Sequence, residues 1–187
     1  MSTLFTIGQS NKLMDALENA GFTPDDVTKL QQCRHLGMLK SVLSGQAQII
    51  TVKHVLDCDS VPYTPSCWGL EEHVNGGQLE WNPDKVELYR DERQRKVKGL
   101  AGKDLRKSLS SKQVMNANVL DYLLANPELI PNEWKKFTVY FWGTIYLGGE
   151  GPLFSIRGLC WDNGKWISVS GWLGANFLGY DMAAISK

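Results

Sequence analysis

The strongest constraint on the fold is a two-residue alternation of side-chain types near the C-terminus. Residues 137–147 read FTVYFWGTIYL, in which apolar residues alternate with aromatic and hydroxyl residues, and residues 165–173, KWISVSGWL, repeat the pattern. Successive side chains of a strand point to opposite faces, so both segments are predicted to be strands. The Asn-Gly pair at 163–164 is typical of tight hairpins. We therefore predict that residues 137–173 form adjacent antiparallel strands.

The aromatic and polar side of these strands is the first candidate binding surface. The residues that it offers to a ligand are Tyr140, Trp142, Tyr146, Arg157, Trp161, Trp166 and Trp172. Aromatic rings interleaved with hydroxyls can stack on a flat ligand, a sugar or an unstacked base, and the arginine can contact an anion. The same pattern is also typical of a second core face, covered by the helix predicted at 115–125. The sequence leaves both interpretations open.

Three short helices are predicted in residues 1–45. Ser10 is a candidate N-cap for the first, which Gly21 ends, and a Thr-Pro pair at 23–24 begins the second. The third is expected at 36–43. These helices are poor in arginine and lysine, which favours a packing appendage over a helix-turn-helix that reads DNA.

The middle of the chain mixes strand and helix patterns. β-Branched or apolar runs predict strands at 49–52 and 86–89, and apolar stripes predict helices at 102–109 and 115–125. The last fifteen residues, 173–187, are expected to be irregular and to pack back over the sheet. The predicted fold class is α+β: short N-terminal helices, a mixed middle, and a C-terminal antiparallel β-meander packed on a helix.

The length of 187 residues suits one domain with a small appendage, which we place at 1–45, with the α+β domain at 46–187. No apolar run approaches the roughly 18 residues that a membrane span needs. The N-terminal residues lack the basic and apolar regions of a signal peptide. The four cysteines are scattered, as expected of free thiols in a reducing compartment. These features predict a cytoplasmic protein without a membrane partner and leave the oligomeric state open.

Charge is distributed unevenly although the net charge is zero. Residues 85–112 contain ten basic and four acidic residues, an excess of six positive charges. Neutrality argues against bulk attraction to nucleic acid, but this segment could contact an acidic protein or a nucleic acid. The candidate partner-binding residues are Lys96, Lys98, Lys103, Arg106 and Lys107. The alternative is a solvated helix face on which Asp91 and Glu92 pair with basic residues four positions later.

A cysteine, a histidine and carboxylates near residues 54–73 suggest an enzyme as the alternative. Cys58 could act as a thiol nucleophile of a small hydrolase or transferase. On an extended chain His54 would lie about 13 Å away, at roughly 3.3 Å per residue, so His73 would have to be the base. The more ordinary interpretation is a core cysteine at the end of a strand, with Asp57 and its neighbours capping turns.

A metal site is a weaker possibility in the same region. Asp57, Asp59, Glu71 and Glu72 could cluster with His73 around a divalent cation, but no fixed spacing supports this. The cysteines and histidines also lack the spacing of a zinc site. We therefore expect no metal and no cofactor, and we assign no catalytic residue.

Several distinctive stretches resemble a family of uncharacterised, hypothetical proteins from uncultured bacterial genomes. They are VKHVLDCDSVPY, WGLEEHVNGGQLEW, NANVLDYLLANPELIPNEW, FWGTIY and LCWDNGKW, within residues 46–173. This resemblance implies no activity and transfers no site residue. Small size and neutral charge would also suit a phage or mobile-element protein. The expected function is non-catalytic binding through the aromatic face and the basic segment, to a ligand, a nucleic acid or an acidic protein.

Overall fold

The chain divides into two compact units, Met1–Val52 and Lys53–Lys187, which are described separately. The computed structural model describes residues 6–33, 36–50, 52–96, 99–148 and 153–187.

The first unit contains helices α1 (Ile7–Asn19), α2 (Pro24–Gln32) and α3 (Leu36–Leu43). Thr6, not Ser10, caps α1: its hydroxyl accepts from the Gln9 backbone N–H at 3.2 Å, and the Gln9 side chain accepts from the Thr6 N–H at 3.0 Å. This reciprocal capping box starts the helix one turn before the predicted position. Thr23 caps α2 in the same way, as the Thr-Pro pair predicted.

The strand predicted at 49–52 is absent from the residues that are described there. Ile49, Ile50 and Val52 are exposed and lie outside any strand, and Thr51 is outside the described residues. A β-branched run becomes a strand only where a neighbouring strand pairs with it. The first strand instead begins at Val55.

The second unit alternates strands with two helices and four short 3₁₀ turns. Its strands are β1 (Val55–Asp57), β2 (Trp68–His73), β3 (Gln78–Glu80), β4 (Val86–Tyr89), β5 (Leu100–Ala101), β6 (Thr138–Tyr140), β7 (Thr144–Gly148), β8 (Leu153–Asp162), β9 (Lys165–Trp172), β10 (Asn176–Phe177) and β11 (Asp181–Ser186). Its helices are α4 (Gly102–Leu109) and α5 (Ala117–Ala125), and its 3₁₀ turns are Pro83–Lys85, Glu92–Arg95, Pro127–Leu129 and Asn132–Lys136.

A seven-stranded sheet organises this unit around β8. One edge of β8 pairs antiparallel with β7 and then β6, and the other edge pairs with β9. From β7 the sheet continues to β2, and from β6 it continues to β11 and β4. The predicted antiparallel meander and the α+β fold class are confirmed. Two further pairs, β1 with β3 and β5 with β10, are separate ribbons.

The predicted strand at 137–147 is broken at residues 141–143. Before the break, Tyr140 packs edge-on against Phe177 on one side of the sheet. After it, Tyr146 lies on the opposite side, where its hydroxyl donates to the backbone oxygen of Tyr63. The break shifts the alternation, so the even-numbered residues do not share one face as predicted.

Both faces of the sheet are covered by apolar packing. Against α5 the sheet contributes Val139, Phe141 and Leu159, and against α4 and β10 it contributes Tyr140, Trp142 and Ile156. The core interpretation placed the helix at 115–125 over the face that carries Tyr140 and Trp142. The structure shows that this helix covers the opposite face. The basic helix α4 and the strand that ends at Phe177 cover the Tyr140 and Trp142 face instead.

The C-terminal residues form an inner strand, contrary to the predicted irregular tail. β11 lies between β6, to which it is parallel, and β4, to which it is antiparallel. Five of its six residues are buried. A strand that is buried on both faces shows a continuous apolar run instead of alternation, so the period-two pattern could not reveal it.

Candidate functional site

A cavity of about 900 Å³ opens in the second unit beside the sheet break. Its apolar wall includes Cys58, Leu79, Leu109, Val114, Met115, Val119 and Trp142. Its polar lining includes Glu72, Asn75, Arg106, Lys112, Gln113 and Asn116. The volume lies within the roughly 300–1,000 Å³ that is typical of small-molecule sites, and the mixture of one apolar wall with a few polar groups is also typical of them.

Trp142 is the residue in this wall whose side chain carries a buried hydrogen-bond donor without a partner among the described residues. The residue is only 5% exposed, and its ring packs against Phe177 with centroids 5.1 Å apart. Its indole N–H is buried and has no hydrogen-bond acceptor among the described residues. Leaving a buried donor unpaired costs about 1–3 kcal/mol, so such groups usually have a partner.

Close backbone contact fixes Trp142 at the sheet break. The Gly143 N–H donates to the Met115 oxygen at 2.9 Å, and the Gly143 oxygen accepts from the Val74 N–H at 2.7 Å. A Cβ at position 143 would come within 3.0 Å of the Asn116 backbone. Glycine at this position therefore allows the segment before α5 to cross the sheet here, and this segment forms part of the cavity wall.

Two cations and one carboxylate stand among the polar lining residues. Arg106 forms an ion pair with Glu72, and both side chains are more than 40% exposed. Exposed pairs contribute about 0–1 kcal/mol, so an anionic ligand could compete for this arginine. Lys112 lies over the Tyr89 ring, with its Nζ 4.3 Å from the centroid. The charged part of the lining is therefore positive on balance.

A hydrogen-bond network connects four elements next to the cavity. His73 Nε2 lies 3.0 Å from the Cys58 oxygen, and its Nδ1 lies 2.8 Å from Thr144 Oγ1. A carbonyl only accepts, so Nε2 carries a proton; in the neutral imidazole the Thr144 hydroxyl then donates to Nδ1. That hydroxyl also accepts from the Ala117 N–H at 3.0 Å. Asn116 donates to the Cys58 and Val74 oxygens at 2.7 and 2.9 Å.

The thiol of Cys58 is poorly suited to nucleophilic attack. The residue is 3% exposed, and burial, with the carboxylates of Asp59 and Asp57 adding to it, raises the pKa of the thiol to about 11. A reactive cysteine needs the opposite environment, one that favours the thiolate. The two aspartates serve loop structure: Asp59 accepts from the N–H groups of Gly76 and Gly77 at 2.9 and 2.8 Å.

Neither of the two described histidines is placed as a base for this thiol. Both ring nitrogens of His73 are engaged by the Cys58 backbone oxygen and Thr144. His54 Nδ1 lies 2.9 Å from the Tyr122 hydroxyl. The groups of the enzyme alternative are therefore near one another without forming the hydrogen-bonded pair that activation requires.

The seven residues predicted to bind a ligand are divided among different environments. Tyr140, Trp142, Tyr146 and Arg157 are buried. Trp161 and Trp166 are half-buried and pack edge-on against each other with centroids 5.3 Å apart. Trp172 is 50% exposed. They do not form one open surface, and of the seven only Trp142 lines the cavity.

Arg157 has a structural ion pair in place of the predicted contact with a ligand. Its guanidinium binds both carboxylate oxygens of Asp121 on α5, at 3.0 and 2.7 Å. It also donates to the Tyr63 oxygen at 3.3 Å and lies over the Tyr63 ring. Burial acts to lower the pKa of Arg157, but the hydrogen bonds that its guanidinium donates to Asp121 and Tyr146 outweigh it and raise this pKa.

The predicted partner-binding residues lie on the surface near α4. Lys96, Lys103, Arg106 and Lys107 are exposed, and Lys98 lies outside the described residues. Asp91 pairs with Arg93 at 2.8 Å, not with a residue four positions later, because this segment is a capped 3₁₀ turn and not an α-helix. Of the four predicted partner-binding residues that are described, Arg106 alone lines the cavity.

Sequence reasoning missed Lys112 and Asn116 as lining residues. Asn116 carried a usable signal, because asparagine before an apolar run is a common N-cap, and its side chain does accept from the Asn118 N–H at the start of α5. Lys112 carried no sequence signal beyond its charge.

Comparisons add no functional information. No protein-family model matches the chain, and neither the curated proteins nor the solved structures contain a significant match. Within the described residues, no cluster of three or more histidine, cysteine or acidic side chains is arranged to hold a metal ion. None of the described helices combines the length and apolar character needed to cross a bilayer.

Proposed function

We propose that this protein is a non-catalytic binding protein that holds a small ligand in the cavity beside Trp142. The ligand would place an apolar body against the tryptophan wall and an acidic or hydrogen-bond-accepting group toward Arg106 and Lys112. This proposal joins the two sets of residues that the sequence suggested, because one member of the aromatic set and one member of the basic set line the same cavity.

The observation that carries the proposal is the buried indole N–H of Trp142 without an acceptor among the described residues. The N–H is covered in the structure. A ligand acceptor that displaced the atoms covering it would remove the cost of this unpaired donor on binding. The neighbouring polar groups of the network have no such requirement, since Asn116 and His73 are already hydrogen-bonded. We therefore expect Trp142 to supply the directional contact.

Cavity size favours a small molecule over the nucleic acid or acidic protein considered from sequence. A space of about 900 Å³ suits a compact organic ligand. Macromolecular partners usually need a contact area of roughly 600–800 Å² or more on each side. The exposed lysines of α4 are then a surrounding positive field that attracts an anionic ligand.

Titration with 8-anilinonaphthalene-1-sulfonate tests the proposal, since this probe combines aromatic rings with an anionic acceptor. We expect saturable binding of one probe per chain. Gln113→Trp adds a large ring at a lining position and should weaken binding at least tenfold. Ser111→Trp, two residues away, exposed and outside the lining, is the matched control and should bind as wild type. Equal binding by both variants would contradict the site.

The role of the indole N–H is tested separately with Trp142→Phe. This change keeps an aromatic ring in the wall and removes the donor. Loss of one hydrogen bond of about 1 kcal/mol should weaken probe binding about fivefold. Unchanged affinity would show that the donor makes no contact with the ligand.

A further inference from the structure

Strand β9 is an edge strand without the usual protection of a sheet edge. Among the described residues no strand pairs with its outer side, although the strand is eight residues long. It contains no proline, its register with β8 is continuous without a bulge, and its one charged residue is Lys165 at the start. Natural proteins usually block such edges with charges, proline, bulges or a covering element. The edge of β9 is therefore available for pairing.

The register with β8 shows which backbone groups point outward. The Leu173 N–H donates to the Phe154 oxygen at 2.9 Å, in the same register that pairs β9 with β8. Hydrogen-bonded positions alternate along an antiparallel pair, so the odd-numbered residues of β9 bond to β8. The even-numbered residues, which direct their backbone groups to the outer edge, are Trp166, Ser168, Ser170 and Trp172.

Side-chain exposure agrees with an accessible edge. Ser168 and Ser170 are exposed, and Trp172 is half exposed. Within the described part of the chain, the Trp172 oxygen is the one outward group of these four residues with a backbone partner, because it accepts from the Ala175 N–H in the next turn. The two serines in the middle of the strand can therefore offer both their N–H and C=O groups to a neighbouring strand.

We infer that β9 pairs antiparallel with β9 of a second copy, with Val169 opposite Val169 on a two-fold axis. In this register each of the four residues whose backbone groups point to the outer edge lies opposite another such residue. Trp166 lies opposite Trp172, and Ser168 lies opposite Ser170. Aromatic pairs and hydroxyl pairs stabilise neighbouring strands, and no like charges meet, because Lys165 lies opposite Leu173. The sequence of β9 is thus complementary to itself, as a two-fold interface requires.

Disulfide crosslinking of an introduced cysteine tests this register. Val169→Cys places two thiols opposite each other at a non-hydrogen-bonded pair, with Cα atoms about 4.5 Å apart, within disulfide range. Ile167→Cys is the matched control: it is half-buried like Val169 and on the same face, but it lies opposite Gly171 of the second copy. Both variants are made with Cys33→Ser and Cys67→Ser, because these native thiols are exposed, and with Cys160→Ser, because Cys160 lies opposite Ile167 on β8 and could bond to the control thiol.

After mild oxidation we expect a covalent dimer of Val169→Cys on non-reducing gels, and at least tenfold less of it for Ile167→Cys. The two Ile167 positions would be about 13 Å apart, four residues at roughly 3.3 Å each. Crosslinking of both variants, of neither, or of Ile167→Cys alone would overturn the register.

Sedimentation equilibrium tests the association itself. Wild type should show a mass twice that of the 21.0 kDa chain. Ser168→Pro removes an outward N–H and no bond to β8, so it should fold and sediment as a monomer, whereas Ser168→Thr should remain dimeric. A monomeric wild type, or a dimer that persists in Ser168→Pro, would overturn the inference. Pairing of β9 only with a strand of another protein would do the same.

Discussion

Asp121→Asn is the substitution whose cost the structure defines most directly, because it leaves the buried charge of Arg157 without its counter-ion. The Arg157 side chain is 6% exposed, and that of Asp121 is 30% exposed. The asparagine keeps the shape of the side chain. It replaces one accepting oxygen with an N–H₂ group that faces the guanidinium donors.

The expected loss of stability is about 3 kcal/mol. Removing one partner of a buried ion pair usually costs about 3–5 kcal/mol, and we take the lower end because water reaches part of Asp121. Arg157 also keeps its bond to the Tyr63 oxygen, which moderates the loss. For a chain of this length about 3 kcal/mol corresponds to a fall in Tm of roughly 6–12 °C.

Urea and thermal denaturation at neutral pH measure this loss, with Glu128→Gln as the control for an exposed carboxylate. The control should change stability by no more than about 0.5 kcal/mol. The double variant Asp121→Leu with Arg157→Met removes both charges and should recover at least half of the loss. A loss below about 1 kcal/mol for Asp121→Asn would refute the view that this pair holds α5 to the sheet.

Three other predictions follow from burial. Trp142→Ala should lower the free energy of unfolding by about 3–5 kcal/mol, because Trp142 is only 5% exposed. Trp172→Ala should lower it by no more than about 1 kcal/mol, because Trp172 is 50% exposed. Equal losses in urea denaturation would contradict this prediction. Cys58 should react with iodoacetamide much more slowly than a free thiol at neutral pH, because burial raises its pKa; fast labelling would favour the enzyme alternative. Burial also raises the pKa of Asp181, although its bond from the Leu178 N–H opposes this. The folded protein then holds the proton more tightly than the unfolded chain, so the carboxylate lowers stability at neutral pH and this penalty fades as the pH falls through the raised pKa. Asp181→Asn should therefore raise Tm at neutral pH, with a gain that disappears in acid; a gain independent of pH would contradict this assignment.

The parts of the fold that sequence predicts well are those governed by local rules. The Asn163-Gly164 pair sits at the tight turn between β8 and β9, as the hairpin signal indicated, and both residues have positive φ angles. The helix predicted at 115–125 is present as Ala117–Ala125, with its apolar stripe against the sheet. In each case a few neighbouring residues contain the information, so no knowledge of distant contacts is needed.

Long-range pairing explains the errors in the fold. β11 is defined by its parallel neighbour β6, more than forty residues earlier, and its own sequence lacks alternation because both faces are buried. Trp68–His73 becomes β2 by pairing with β7, which was not anticipated. Neither pairing leaves a signal within the segment itself.

The candidate site was even less accessible to sequence reasoning, because its residues come from distant parts of the chain. Cys58, Arg106 and Trp142 line one cavity although more than eighty residues separate the first from the last. The sequence suggested each of them for a different reason: a nucleophile, a basic surface and an aromatic face. Only the folded chain gives them a common environment.

The sheet break at residues 141–143 is the feature that joins fold and candidate site. It divides the edge of β8 between β6 and β7, so the sheet continues to β11 on one side and to β2 on the other. Gly143 binds both the segment before α5 and the end of β2 through its backbone, which brings the cavity walls together at this point. Trp142 is adjacent to that junction, outside the regular pairing of either strand. Its indole N–H is buried, and none of the described residues offers it an acceptor. The irregularity that sequence alternation could not predict thus coincides with the unpaired donor on which the proposed ligand site depends.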